Sequence, residues 1–166
     1  MEHKLNVFDE KIERQVDNIF EVINNLVDLT NCSNLWFFGN EYDGLSSVNF
    51  WYVGADKRLN EFAEYHSENQ GIGEKLTADM LEIDQLLIGQ GDRPFRQILI
   101  NYTVNDDGGI PKISLDYYDW PEIGFPLFAA DNYYKSVTVG EKYVKQSDRR
   151  VVHEMLAYVN AQENNS

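Results

Sequence analysis

Cysteine is almost missing from this sequence: Cys32 stands alone among 166 residues. An intrachain disulfide is therefore impossible, which fits a reducing compartment, and C-x-x-C redox or metal motifs are excluded. A single thiol of this kind is expected as a small residue in the core or at a helix end rather than as a nucleophile. Histidine is sparse as well. His3, His66 and His153 are scattered, and no H-x-x-x-H spacing is present to seed a zinc site. No stretch approaches the run of about 18 apolar residues that spans a membrane. The opening MEHKLNVFDEKIERQ carries no apolar signal core. These shortages predict a protein that stays in the cytoplasm.

Positive charge is the next deficit. There are 14 Lys and Arg against 28 Asp and Glu, a net charge of −14. Phosphate recognition needs Lys and Arg, so nucleic acid and anionic membranes are disfavoured as ligands. A basic macromolecule or a metal cation is the natural counterpart of such a field. The deficit is also local. Residues 59–131 hold 14 acids against Lys75, Arg93, Arg96 and Lys112, a net of −10, whereas 132–166 hold five cations and four acids. Solubility alone does not require that asymmetry.

Aromatic residues are plentiful, with ten Tyr, nine Phe and three Trp. Apolar residues from Phe8 to Val27 recur every three or four positions, so one amphipathic helix is expected, ending near Thr30-Asn31. Leu35–Phe38 and Val48–Val53 read as two strands of a hairpin, with Asp43-Gly44 between them. Residues Arg58 to Gly73 are expected as a loop with a short helix at most. A second helix follows from Leu76 to Ile88, stopped by Gly89 and Gly91. Ile98 to Val104 and Ile113 to Tyr117 alternate as strands, and Asn105-Asp106-Asp107-Gly108 between them predicts a tight turn. Pro121 to Pro126 reads as loop, and FPLFAADNYYKSVTVGEKYV is balanced between helix and strand. Ser147 to Asn160 predicts a last helix with a frayed tail. The order implies a single α+β domain over residues 1–166. Its antiparallel sheet would be built from two hairpins and packed against N-terminal, middle and C-terminal helices.

Motifs for chemistry are few. Gly71-Ile-Gly73-Glu-Lys75 lacks the spacing of a phosphate loop and reads as a turn before a helix. Setting Gly108 as the sixth residue of a calcium loop puts Thr103 and Ser114 at its ends, which are wrong for that site. The serine elbow G-x-S-x-G is absent. The remaining candidate is a carboxylate pair, Asp116 and Asp119, able in principle to do acid–base work or hold a cation. No third group converges on it in sequence. The reading is of a binding protein, not an enzyme, with no catalytic, cofactor or metal residues.

The KISLDYYDW segment and its context resemble the YezG-like bacterial immunity (antitoxin) proteins. That family has an N-terminal helix, an aromatic hairpin and a helix. A second hairpin follows, whose Asp-Tyr-Asp/Glu-rich strand leads into an irregular segment with Pro and aromatics. The matching parts are LWFFGNEYDGLSSVNFWYVG, the helix around Leu76 to Ile88, and ILINYTVNDDGGIPKISLDYYDW, with NYYKSVTVGEKYV corresponding to the aromatic end. The extra C-terminal helix and the long 54–73 connection depart from the pattern. The resemblance implies a cytoplasmic protein that blocks a delivered toxin domain, as in contact-dependent growth inhibition. Such toxins are often nucleases with basic active sites.

Acidic side chains would steer the encounter with such a domain, and aromatic anchors would prolong it. The expected contacts are Glu41, Asp43, Asp106, Asp107, Asp116, Tyr118, Asp119, Trp120 and Glu122. The alternatives are a small metal-dependent hydrolase using Asp116 and Asp119, and a regulatory domain that recognises a basic peptide.

Overall fold

The computed structural model describes residues 3–4, 9–62, 70–106 and 109–165. The chain divides into two compact units, residues 2–117 and 118–166.

The first unit is an antiparallel sheet with helices. In chain order its elements are β1 (His3–Lys4), α1 (Glu10–Leu26), β2 (Asn34–Tyr42), β3 (Leu45–Val53), β4 (Leu59–Glu61), α2 (Gln70–Gly89), β5 (Gln97–Thr103) and β6 (Lys112–Asp116). The strands lie in the order β1-β6-β5-β2-β3-β4, every neighbouring pair antiparallel. The two expected hairpins are both present, side by side. The short β1 and β4 extend the sheet at its margins, and β4 falls in the stretch expected as loop.

Side-chain alternation decides what each sheet face meets. Leu35, Phe37, Phe50, Tyr52, Ile98, Ile100, Tyr102, Ile113 and Leu115 share one buried core with Ile12, Val16, Ile19 and Ile23 of α1 and Leu76, Met80, Ile83 and Leu87 of α2. Each fully buried aliphatic side chain of this kind contributes about 2 kcal/mol. The alternate positions carry Trp36, Phe38, Asn40, Asn49, Trp51, Gln97 and Asp116 on the other face. There Gln97 Nε2 donates to Tyr42 Oη at 3.0 Å, and Tyr42 donates to Asn40 Oδ1 at 2.9 Å.

The helix ends differ from expectation for local reasons. Asp9 caps α1 by accepting from the Lys11 amide at 2.8 Å. The helix stops at Leu26, short of Thr30, where the Asp28 carboxylate takes the Thr30 amide into a side-chain turn instead. α2 begins at Gln70, so Gly71-Ile-Gly73 is its first turn rather than a turn before it. The apolar stripe runs back to Ile72, and Thr77 Oγ1 donates to the Gly73 carbonyl at 2.8 Å. At its far end Asp92 N donates to Leu87 O at 3.0 Å across Gly91, whose φ is 95°.

The two strand connections behave differently. Tyr42 pairs with Leu45 across Asp43 and Gly44, both at positive φ, which is the expected two-residue turn. The β5–β6 connection is no tight turn, because the strands part at Thr103 and resume at Lys112. Asn105 explains the departure. At φ 61° its Nδ2 donates to the carbonyls of Leu29, Thr30 and Cys32 at 2.9, 2.8 and 3.0 Å. It pins the α1–β2 connection instead of closing the hairpin. Asp107 and Gly108 lie outside the described residues, as does Phe8.

The second unit is helical: α3 (Trp120–Ile123), α4 (Ala129–Thr138) and α5 (Arg149–Asn164), with 3₁₀ turns at Glu141–Tyr143 and Gln146–Asp148. The ambiguous segment becomes α4 because Ala129, Ala130, Tyr133 and Tyr134 make a buried helical face. Pro121 opens α3 in place of a loop, since its fixed φ suits a first helical turn. α5 continues through the stretch expected to fray, up to Asn164. No described helix is long and apolar enough to cross a membrane.

Asn105→Ala should lower stability by about 2 kcal/mol, since it strips three carbonyls of a shared donor and leaves a β-carbon at positive φ. Asn105→Asp should cost more, because it turns an acceptor toward those same carbonyls. Urea unfolding of both variants measures the order; an unchanged midpoint for either would contradict the pinning role.

Candidate functional site

One end of the first unit's sheet gathers acid around the Arg96 guanidinium. The backbone there is tied across three strands: Glu41 N donates to Arg96 O at 2.8 Å, and Arg96 N donates to Asp116 O at 2.9 Å. Asp43, in the β2–β3 turn, is exposed and accepts from Arg96 Nη1 at 3.3 Å. An ion pair so open to water adds at most about 1 kcal/mol. The β-strand period then separates the carboxylates. Glu41 points to the helix side, whereas Asp116 shares the opposite face with Gln97.

On the helix side Glu41 meets Asp84. Asp84 follows Met80 by four residues, on the stripe that α2 presses against the sheet, and it is 2% exposed. The two carboxyls are near enough for the charge of Asp84 to act on Glu41. Burial, then the hydrogen bonding and the charge of Asp84, push the Glu41 carboxyl up to about 7, with Arg96 pulling the other way. Glu41 Oε2 and Asp84 Oδ1 are buried without hydrogen-bond partners.

The other expected contacts fall elsewhere. Asp106 is exposed beyond the opposite end of β5, where its carbonyl accepts from Gly109 N at 3.1 Å. Asp107 lies outside the described residues. Tyr118, Asp119, Trp120 and Glu122 belong to the second unit. Asp119 caps α3, accepting from the Glu122 amide at 3.4 Å, and Glu122 is exposed.

Trp120 requires a correction. It is wholly buried, so it is a core residue and not a surface anchor. Tyr118, Phe125, Tyr133 and Tyr158 surround its ring at centroid distances of 4.7, 5.6, 5.6 and 6.0 Å. Tyr118 is half-buried against it.

The arrangement can attract and hold cations. Among the described residues no group of three or more His, Cys, Asp or Glu is placed to hold a metal ion. The Cys32 thiol is buried, donates to the Asn34 carbonyl at 3.0 Å, and has its pKa raised by burial, so it is a poor nucleophile. No protein-family model matches this chain, and no curated protein is significantly similar to it.

Asp84 was missed from sequence, although its signal was present: a carboxylate on the apolar stripe of a helix is a buried charge by periodicity. Arg96, just ahead of β5, was counted only as a cation within an acidic stretch.

Folding raises the Glu41 pKa above its unfolded value near 4.5. Its contribution is therefore complete below that value and is lost as pH rises through about 7. Glu41→Gln should match the parent at pH 5 and exceed it at pH 8. Parallel urea midpoints across that range would show that the Glu41 carboxyl is not raised. Trp120→Ala should cost about 3–5 kcal/mol through the cavity it leaves. Trp120→Phe should cost much less, because the indole Nε1 makes no hydrogen bond that Phe would lose.

Proposed function

We propose that this chain is a cytoplasmic immunity protein that binds and neutralises a cognate bacterial toxin domain, a nuclease with a basic active site, by steric and electrostatic occlusion. One observation carries the reading: the charge excess has a place. Glu41, Asp43, Asp84 and Asp116 converge with Arg96 at one end of the sheet, drawn from three strands or their turn and from a helix. A concentrated field of this kind accelerates encounter with a basic surface, toward about 10⁸ M⁻¹s⁻¹ at low salt. It also repels the phosphates that compete for the same basic site.

The resemblance of the hairpin and KISLDYYDW segments to YezG-like immunity proteins supports the same class of partner. With Trp120 in the core, exposed carboxylates and half-buried tyrosines are left to make the contact, and the complex should depend strongly on ionic strength.

The test begins with the gene neighbourhood, where an immunity gene should sit directly downstream of a large toxin gene. Co-expression of that toxin's C-terminal domain with this chain should restore growth and yield a stoichiometric complex. In that complex Asp43→Lys with Asp116→Lys should slow association about tenfold at low salt, and less as salt rises. A neighbour that remains toxic and fails to co-purify would refute the proposal.

A further inference from the structure

At the end of the sheet opposite Arg96, α1 and the β5–β6 connection enclose a cavity of about 240 Å³. Its floor is apolar: Val16 of α1 is 3% exposed and Ile113 of β6 is 5% exposed. Ile110 and Pro111 form one wall. Ile110 is 77% exposed, more than any other large apolar side chain among the described residues. Glu13 and Asp17 form the other wall. They lie four residues apart, hence one above the other on α1, and both are exposed. Among the described residues no side chain pairs with either carboxylate. Strand alternation sends Lys112, between Pro111 and Ile113, to the opposite face of the sheet, and it does not line the cavity.

The walls are anchored by the fold. Tyr102 Oη donates to the Val16 carbonyl at 2.6 Å, which ties α1 to β5 beside the floor. Asn105 pins the start of the connection, which turns back where Gly109 N donates to Asp106 O at 3.1 Å. A β-carbon at Gly109 would already sit 3.0 Å from that of Thr103. An apolar side chain is thus held in water, by a fixed backbone, beside two unpaired charges.

Size and chemistry select the occupant. Pockets for drug-sized ligands run to roughly 300–1,000 Å³, so this smaller one is scaled to a single side chain. The floor and one wall favour methylene groups, and the two carboxylates favour a cation. Lysine joins a long aliphatic stem to a compact ammonium, whose three donors can reach two carboxylates stacked along a helix. The planar fork of arginine matches one carboxylate better than two that stand a helical turn apart.

We infer that this cavity receives one lysine side chain of the protein partner, its stem against Val16, Ile110 and Ile113 and its ammonium between Glu13 and Asp17. This seat rests on the reading of the partner as a basic protein, and adds to it a second contact at the other end of the sheet.

The probe is N-acetyl-lysine N-methylamide, added to the full chain at an ionic strength of about 0.1 M, where exposed charges beyond about 10 Å are screened. NMR follows the methyl resonances of Val16, Ile110 and Ile113, which should move saturably. The norleucine analogue has the stem without the charge, and ammonium chloride has the charge without the stem. Each should shift these resonances at least about fivefold less at equal concentration. Glu13→Gln with Asp17→Asn should weaken lysine binding at least about fivefold, as should Ile110→Ser. Glu74→Gln with Glu82→Gln, an equal loss of charge on α2, should change it less than about twofold.

The wild-type comparison of the three probes needs no variant, so a misfolded variant would not spare the seat. Unmoved methyl resonances, or an equal response to norleucine or to ammonium, overturns it. Equal weakening by the α2 pair also overturns it, leaving only a diffuse field. In a complex with the neighbouring toxin's C-terminal domain, Ile110→Ser should raise Kd at least about fivefold, and an unchanged Kd overturns the docking role. Selective lysine binding alongside a neighbouring toxin that is not neutralised upholds the seat and removes the immunity reading alone.

Discussion

The packing of α2 onto the sheet is the constraint from which the rest follows. The helix comes down so closely over β2 that a β-carbon at Gly39 would collide with the Met80 sulfur. Glycine at that strand position permits the approach, and Leu76, Met80, Ile83 and Leu87 fill the space beneath. One turn beyond Met80, the same stripe drives Asp84 into the layer, where Glu41 is its partner. A helix stabilised by apolar burial thus carries a carboxylate to a place it would not otherwise occupy. The cost falls on Glu41, whose carboxyl is pushed up to about 7 by burial and by Asp84.

That compromise bears on how the acidic field works. Fourteen excess negative charges on a chain of this size repel one another. The raised pKa of Glu41, set by burial and by Asp84, is one local expression of that repulsion. Arg96 opposes it from the strand side.

Much of the architecture was legible from sequence. The α+β class, both hairpins, the Asp43-Gly44 turn and the first, middle and last helices rested on apolar periods that the buried core follows, with Ile88 and Leu156 as exposed exceptions. What failed to read correctly involved side chains acting at a distance. Asn105 looks like a turn residue beside Asp106, yet its amide serves carbonyls on the α1–β2 connection more than seventy positions earlier in the chain. Gly71 and Gly73 look like punctuation, but an apolar stripe around them holds the helix through both. Among the candidate contacts, Glu41, Asp43 and Asp116 do come together, because adjacent strands and one turn bring them to a common end. Trp120 could not be assigned from its neighbours in sequence, since Phe125, Tyr133 and Tyr158, which help enclose it, arrive from the following connection and from two later helices.

The ring of aromatics about Trp120 has an optical consequence. Its indole is enclosed by Tyr118, Phe125, Tyr133 and Tyr158 in the second unit, whereas Trp36 and Trp51 belong to the sheet of the first. Excitation of the clustered tyrosines feeds Trp120 by resonance transfer over distances far shorter than the process requires. Its unpaired Nε1 in an apolar setting shifts its emission to the blue. The second unit therefore carries its own buried intrinsic fluorophore.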